Sequence, residues 1–257
     1  SAHLQARSGG IGANLQALFA QEPWLFLICA GVFGALIGSF LNVVIYRLPV
    51  MMEHAWQDEL ADAQGKEPAT RERFNLVVPR SRCGQCGHAI TALENIPVIS
   101  WLALRGRCSA CGTRIGARYP LVEVATAGLF VACAWRFGFA LPALAAMVFC
   151  AVLVTLTGID LDTQLLPDQL TLPLLWLGLL VNLFSAFALL PDAVIGAAAG
   201  YLVLWSVYWL FKLVTGREGM GYGDFKLLGA LGAWFGWQAL PMLLLVSSVV
   251  GAVIGIA

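Results

Sequence analysis

The sequence predicts an all-α polytopic membrane protein, because it is too apolar and too poor in charge for a soluble domain. Its 257 residues are 60% hydrophobic and 12% charged, with a mean hydropathy of +0.80, whereas soluble domains carry roughly a quarter charged residues. Apolar runs recur along most of the chain, so we expect a bundle of about seven transmembrane helices, or about eight in the native protein, embedded in a lipid bilayer. The net charge of zero and the lack of a basic stripe or RNA-binding motif predict no nucleic-acid partner.

The order of polar and apolar stretches divides the chain into four regions. Residues 1–23 form a polar tail, part of which we expect to be non-native sequence added for expression. Residues 24–48 form the first transmembrane helix. A polar module follows at 49–119, within which 50–65 is an amphipathic helix that lies on the membrane surface or caps the cysteines. Residues 120–257 hold the other predicted helices, at 120–138, 139–159, 170–190, 193–214, 225–239 and 241–257. The last run has no polar flank, so we expect the native chain to continue past Ala257.

The distribution of basic residues predicts the orientation of the chain in the membrane. If residues 49–119 are cytoplasmic, all 15 Lys and Arg except Arg7 and Arg136 lie inside or at the inner ends of helices. This bias is what the positive-inside rule requires. The same topology places Asp160 and Asp224 on the cytoplasmic face.

Two cysteine pairs in the polar module predict a metal site. Cys83-x-x-Cys86 and Cys108-x-x-Cys111 are separated by 21 residues, which suits tetrahedral Zn²⁺ held by four thiolates. A closed four-sulfur site leaves no open position for substrate, so the zinc should be structural. An iron–sulfur cluster or a redox pair is the alternative, and His88 is a further neighbour of the metal or a surface residue. The reducing cytosol disfavours disulfides.

Two acidic sites follow apolar segments and are candidate catalytic groups. Asp224 ends the motif Gly221-Tyr222-Gly223-Asp224, and Asp160 lies at the end of another apolar run. Ionisable groups at membrane depth are costly and usually functional, and two carboxylates that meet can act as acid and base of an aspartyl hydrolase. The plain alternative is that Asp224 caps a helix and that Asp160, like Asp162 and Asp168, is an ordinary loop carboxylate.

Together these motifs make the chain resemble the bacterial type IV prepilin leader peptidase/N-methyltransferases. The resemblance covers roughly residues 31–240 and includes both cysteine pairs and the aspartate motifs. Its other parts are the stretches 38–49 (GSFLNVVIYRLP), 95–101 (NIPVISW), 104–108 (LRGRC), 118–123 (RYPLVE), 165–168 (LLPD) and Lys226 after GYGD.

The resemblance implies two activities in one enzyme of the bacterial inner membrane. Asp160 and Asp224 would form the dyad of a GxGD-class aspartic protease that removes the leader of type IV prepilins and pseudopilins after a glycine, at the cytoplasmic face. The enzyme would then methylate the new N-terminal residue with S-adenosylmethionine. The cysteine module favours this bifunctional form, and Gly106 belongs to the stretch linked to methyl transfer, which makes it the candidate cofactor-binding residue.

Other interpretations of the same residues stay open. Glu123 contacts a basic leader or the amine that is methylated, or it is an interfacial carboxylate at a helix start. The chain as a whole is alternatively a membrane transporter with a zinc ribbon, or a secretion-assembly scaffold without hydrolytic activity. A transporter places acidic groups near the bilayer midplane, which disfavours it here. A peptidase of signal peptides or presenilin-like substrates shares the GxGD motif but leaves the cysteine module unexplained.

Overall fold

The computed structural model describes residues 14, 16–67, 69–217 and 219–256, with side chains as far as residue 253. These residues form helices and loops, and they contain no β-strand beyond two isolated bridges, which confirms the all-α prediction. In chain order the helices are α1 (Pro23–Ala63), α2 (Ile99–Ala103), α3 (Arg118–Phe137), α4 (Leu141–Thr163), α5 (Asp168–Asn182), α6 (Leu190–Thr215), α7 (Tyr222–Phe235) and α8 (Leu240–Ile256). Much of the predicted tail at 1–23, and any continuation past Ala257, lie outside the described residues.

Each of the seven apolar segments predicted from the sequence contains a helix, but the helices differ in length, and the predicted segment 170–190 is helical only as far as Asn182. α1, α3, α4 and α6 are each long and apolar enough to cross a membrane. α7 and the helical stretch Trp237–Val253 meet at a bend of 119° and together would make a fifth crossing. α5 has 15 residues, so it is roughly 22 Å long, short of the apolar layer of a bilayer at about 30 Å. By length and composition, four of the described helices qualify individually as membrane spans, or five if the bent pair is counted as one.

The first helix continues well beyond the predicted boundary at residue 48. α1 runs without interruption through Pro49 and ends at Ala63, so the predicted amphipathic helix at 50–65 is its extension rather than a separate element. Gln64 and then Gly65, at φ 65°, end the helix. The change from apolar to polar residues marks where the surroundings of the helix change, and it does not mark where the helix stops.

The connector after α1 folds back along the helix. The buried guanidinium of Arg47 donates to the backbone oxygens of Asn75 and Pro79, at 2.8 and 2.6 Å. Farther along α1, Arg71 pairs with Asp58 at 2.5 Å. Arg47 is thus a backbone anchor for this connector.

The chain divides into two compact units, one ending at Ile159 and the other beginning at Asp160. In the first, the N-terminal unit, α1 and α3 pack closely at two glycines. A Cβ on Gly34 would lie 2.8 Å from the Ala127 Cα, and one on Gly38 would lie 2.7 Å from the Glu123 Cα. The four-residue spacing of these glycines is the small-xxx-small pattern that lets two helix backbones approach closely.

In the second, the C-terminal unit, α6 and α7 contact each other backbone to backbone. A Cβ on Gly196 would overlap the Gly232 carbonyl oxygen, and a Cβ on Gly232 would overlap that of Gly196. One turn along, a Cβ on Gly200 would lie 2.6 Å from the Leu228 oxygen. Gly236, four residues after Gly232, ends α7 with φ 79°.

A buried asparagine joins α5 to the end of α7. The Asn182 Nδ2 donates to the backbone oxygens of Ala233 and Trp234, both at 2.9 Å, and its Oδ1 accepts from two backbone N–H groups of the following loop at 3.0 Å. The Trp234 indole donates to the Leu174 oxygen at 2.9 Å. These bonds satisfy helix-end groups that find no water in an apolar interior.

We expect Gly232→Ala to destabilise the C-terminal unit, because the added methyl meets backbone that cannot rotate away. Overpacking of this kind costs about 1–3 kcal/mol, so the thermal unfolding temperature in detergent should fall. Gly251→Ala in α8 is the matched control, since no atom lies within 4 Å of its added Cβ. Equal unfolding temperatures for the two variants would contradict the backbone contact between α6 and α7.

Candidate functional site

Asp224 is held at the start of α7 by its buried neighbour. It is the third residue of the helix, whose N-cap is Gly221, so Asp224 is not the N-cap residue that the plain alternative assumes. Phe225 is fully buried and packs edge-on against Tyr201 and Tyr208 of α6. This aromatic contact anchors the first turn of α7 and leaves the Asp224 side chain exposed.

Asp160 lies in the last turn of α4, and its side chain is exposed as well. The helix ends at Thr163. The next residue, Gln164, adopts φ 54°, and its backbone N–H donates to the backbone carbonyl oxygen of Asp160 at 2.8 Å. Asp160 and Asp224 thus stand at helix ends rather than in the middle of a span. This position disfavours the midplane ion path expected of a transporter.

The two predicted aspartates line one cavity of the C-terminal unit. Its volume is about 680 Å³. The lining residues are Asp160, Leu161, Gln164, Leu166, Gly219, Met220, Gly221, Gly223 and Asp224. Asp162, two residues beyond Asp160, is not among them. The structure therefore brings together the end of α4 and the GYGD turn, which are 64 positions apart from Asp160 to Asp224.

Two contacts clamp the loop after α4 against the GYGD turn. A Cβ on Gly223 would lie 2.6 Å from the Leu166 Cβ, so the loop packs directly on the glycine. Lys226 then holds both carboxylate oxygens of Asp168 at 2.7 and 2.6 Å. Leu166, Asp168, Gly223 and Lys226 all belong to sequence motifs, but the motifs do not predict which of them pair. The clamp positions Asp224 relative to the end of α4.

Two carboxylates around one cavity have a defined chemistry. Like charges that approach closely cannot easily both ionise, so such a pair shares a proton. The ionised member is then a base for water, and the protonated member is an acid for a reacting oxygen or nitrogen. Gln164 adds an uncharged polar side chain to the same lining.

The four module cysteines converge in the N-terminal unit. Their Sγ atoms all lie within 4.8 Å of one another, with Cys83 3.8 Å from Cys111 and Cys86 4.0 Å from Cys108. A tetrahedral ion with metal–sulfur bonds of about 2.3 Å sets its sulfurs about 3.8 Å apart. The cluster therefore has the size and ligand type of a four-thiolate metal site.

The two knuckles have the same backbone geometry, repeated after 25 residues. In the first, the N–H of Cys83 donates to the His88 oxygen at 2.8 Å, and Gly87 turns at φ 72°. In the second, the N–H of Cys108 donates to the Thr113 oxygen at 2.8 Å, and Gly112 turns at φ 72°. The left-handed turn that glycine supplies wraps the backbone around each pair of sulfurs.

A group of polar contacts joins the two knuckles outside the cysteine cluster. Glu94 accepts from the Ser109 hydroxyl and from the N–H of Thr91, and these bonds lower the pKa of Glu94 to about 2. His88 contacts the Glu94 carboxylate at 3.3 Å and Ser109 at 3.4 Å, in both cases through Nε2. The same ring nitrogen of His88 faces both partners, so the ring cannot pass a proton from Ser109 to Glu94. We therefore interpret Glu94, Ser109 and His88 as structural support for the cysteine cluster.

Gly106 lies directly under the ring of Trp101. Its φ is 65°, and an added Cβ would lie 2.8 Å from the indole. Its N–H donates to the Trp101 oxygen at 2.8 Å and its oxygen accepts from the Ile115 N–H at 2.7 Å, while the indole donates to the Ile115 oxygen at 3.2 Å. Both polar groups of Gly106 are therefore used within the module, and the turn and the ring explain why the position holds glycine.

Known proteins match both units. The bacterial peptidase A24 N-terminal domain matches residues 32–137, and the type IV leader peptidase family matches residues 147–256. A prepilin leader peptidase/N-methyltransferase of Pseudomonas putida is 58% identical over 243 residues, which cover 95% of this chain and 84% of the relative. The chain belongs to the type IV leader peptidase family. No solved structure matches it.

Other relatives extend the likeness within the leader peptidase family. Prepilin leader peptidase/N-methyltransferases of Aeromonas salmonicida and Burkholderia pseudomallei are 61% identical over 237 residues and 54% identical over 245 residues. These matches cover 91% and 94% of this chain, and 81% and 79% of the relatives. The leader peptidase match at 147–256 contains both aspartates, and the N-terminal match at 32–137 contains the four cysteines.

Proposed function

We propose that the chain is a membrane aspartic endopeptidase that removes the leader from type IV prepilins and pseudopilins after a glycine, and that it methylates the new N-terminus. Membership of the leader peptidase family supports both activities. The observation that carries the peptidase assignment is the cavity that Asp160 and Asp224 line together. We assign these two residues as the catalytic dyad.

Hydrolysis at such a dyad needs no group beyond water. The ionised carboxylate takes a proton from water as the water oxygen attacks the carbonyl carbon of the scissile peptide. The protonated carboxylate gives its proton to the developing oxyanion, and the tetrahedral intermediate collapses as the leaving nitrogen is protonated. The cavity is open to solvent through its exposed aspartates, which supplies the water.

We place the enzyme in the bacterial inner membrane with the dyad on the cytoplasmic side. Four described helices are long and apolar enough to span a bilayer, and the positive-inside bias of the 15 basic residues favours this orientation. A basic leader stays on the cytoplasmic side by the same rule, so it would lie on the same side of the membrane as the dyad.

Methyl transfer would follow cleavage, because only cleavage exposes the amine. S-adenosylmethionine is the proposed donor, and its sulfonium supplies the methyl group. The backbone N–H and carbonyl of Gly106 are both hydrogen-bonded within the module. Gly106 would therefore affect donor binding indirectly, by setting the shape of its turn and the position of the Trp101 ring. We assign the four-cysteine site to zinc with a structural role, since thiolate ligands in a closed tetrahedron suit that ion.

We expect Asp160→Asn and Asp224→Asn each to lower leader cleavage by at least about 10²-fold, the typical contribution of a general acid or base. Both variants should stay folded and still methylate a pre-cleaved peptide, because that step needs no water activation. Mass spectrometry of the peptide products separates the two reactions. Asp162→Asn is the comparator, and a variant series in which Asp162 rather than Asp160 is essential would show that the dyad is wrongly assigned.

The clamp on the dyad gives a second expectation. Gly223→Ala should lower kcat for cleavage by about 10²-fold. The added methyl group would collide with Leu166 and shift Asp224 relative to Asp160, and a small misplacement of a catalytic group costs about this much. Gly128→Ala in α3 is the control, since no atom lies within 4 Å of its added Cβ. If both variants cleave equally well, the packing of the loop on Gly223 has no part in catalysis.

Metal analysis tests the zinc assignment. We expect about one zinc per chain in the wild type and none when any of the four ligands is changed to serine. In those variants the module at 80–119 should become sensitive to protease, because metal binding supplies its folding energy. Cys29→Ser is the control, since this cysteine lies outside the module. Iron in place of zinc, or a fully reduced protein without metal, would contradict the assignment.

A further inference from the structure

Glu123 is a buried carboxylate where the cysteine module meets the membrane helices. It lies in the second turn of α3 and is 8% exposed. α1 comes so close at Gly38 that no side chain fits between the two backbones. The Glu123 Oε2 accepts the N–H of Val98 at 2.7 Å, so one oxygen of the carboxylate is bound to the stretch between the knuckles.

That stretch is held in a strained shape at the point of contact. Val98 has φ 59° and ψ −49°, and the Ile99 N–H donates to the Pro97 oxygen at 2.5 Å, which together define a γ-turn with positive φ. A β-branched residue adopts this conformation only where its surroundings enforce it. The strained turn begins the segment that leads to Trp101 and Gly106.

The carboxylate has no cationic partner among the residues that the structure describes. The elements around it carry Arg47 on α1, Arg105 after α2 and Arg118 on α3. Arg47 and Arg118 bind backbone oxygens, and no basic group lies within 4.0 Å of the Glu123 carboxylate. A buried carboxylate that accepts one N–H is poorly compensated, so a cation that reaches it binds favourably.

We propose that Glu123 binds the N-terminal ammonium of the cleaved substrate and takes its proton before methyl transfer. This rests on the proposed function, which supplies a primary ammonium at the new N-terminus. The ammonium N–H bond breaks and the proton passes to the Glu123 carboxylate. The nitrogen lone pair then attacks the methyl carbon of the sulfonium donor, so that the C–N bond forms and the S–C bond breaks. The donor leaves as a neutral thioether, the product is a secondary ammonium, and Glu123 returns its proton to water.

Glu123→Gln separates this role from a purely structural one. The glutamine oxygen still accepts the Val98 N–H, but the side chain carries no charge and takes no proton. With a pre-cleaved peptide at pH 7, methylation should fall by about 10²-fold. An α-amino group has a pKa of about 7.7–8.0, so the ratio of wild-type to variant rate should shrink roughly tenfold between about pH 7 and pH 9 as the amine loses its proton to solvent.

Three controls complete the experiment. Glu59→Gln removes an exposed carboxylate of α1 and should match the wild type. Val98→Gly relieves the strained turn and keeps the charge, so its pH profile should keep the wild-type shape. Binding of the same peptide with an acetylated N-terminus should be equal for wild type and Glu123→Gln, whereas the ammonium peptide should bind the variant more weakly. Zinc content and thermal unfolding report whether each variant is folded.

The outcomes distinguish this inference from the function on which it rests. Methylation by Glu123→Gln at the wild-type rate and with the wild-type pH profile would overturn the inference and leave Glu123 as a backbone anchor. The same would follow if Val98→Gly reproduced the pH-dependent loss, or if the variant bound both peptides equally weakly. Failure of the wild type to methylate any pre-cleaved peptide would count against the proposed function itself.

Discussion

Close contact between helices at glycine sets the positions of the helices that carry Asp224 and Glu123. In the C-terminal unit, α6 and α7 touch backbone to backbone at Gly196 and Gly232, and α7 carries Asp224. In the N-terminal unit, α1 touches α3 at Gly38, and α3 carries Glu123. Lipid gives helices no hydrophobic reason to associate, so packing at small residues is the main source of affinity between them. A methyl group at these points would move a reactive side chain as well as a helix.

The aspartate cavity combines a rigid frame with exposed reactive groups. Phe225 buries the residue next to Asp224, Leu166 packs on Gly223, and the Asp168–Lys226 pair closes the loop on the other side. Each contact fixes backbone and leaves the carboxylate in solvent. A dyad needs this arrangement, because its two groups must keep their separation while water and a peptide enter between them.

The cysteine module is a short polar segment that folds without a large apolar core. Two knuckles of the same geometry, 25 residues apart, meet through four sulfurs, and the polar contacts of Glu94 tie them together outside the cluster. A metal ion would contribute folding energy that the few buried side chains of the segment do not. The strained turn at Val98 then fastens the module to α3 through Glu123.

The sequence by itself determined the all-α class, the approximate places of the seven helical segments and the convergence of four cysteines, and it predicted two aspartates as the candidate dyad, since hydropathy, CxxC spacing and GxGD are local patterns. It did not show that α1 continues past residue 48 to Ala63, because a change of polarity does not end a helix that runs on from an apolar stretch into a polar one. It did not reveal that α5 is short or that α7 and the helical stretch after it meet at a bend, because hydropathy specifies neither helix ends nor bends. Only the tertiary structure decided which of Asp160 and Asp162 lines the cavity, that Leu166 meets Gly223, and that Glu123 holds Val98. Those contacts join residues distant in the chain, and they depend on how closely helices approach, which no local pattern specifies.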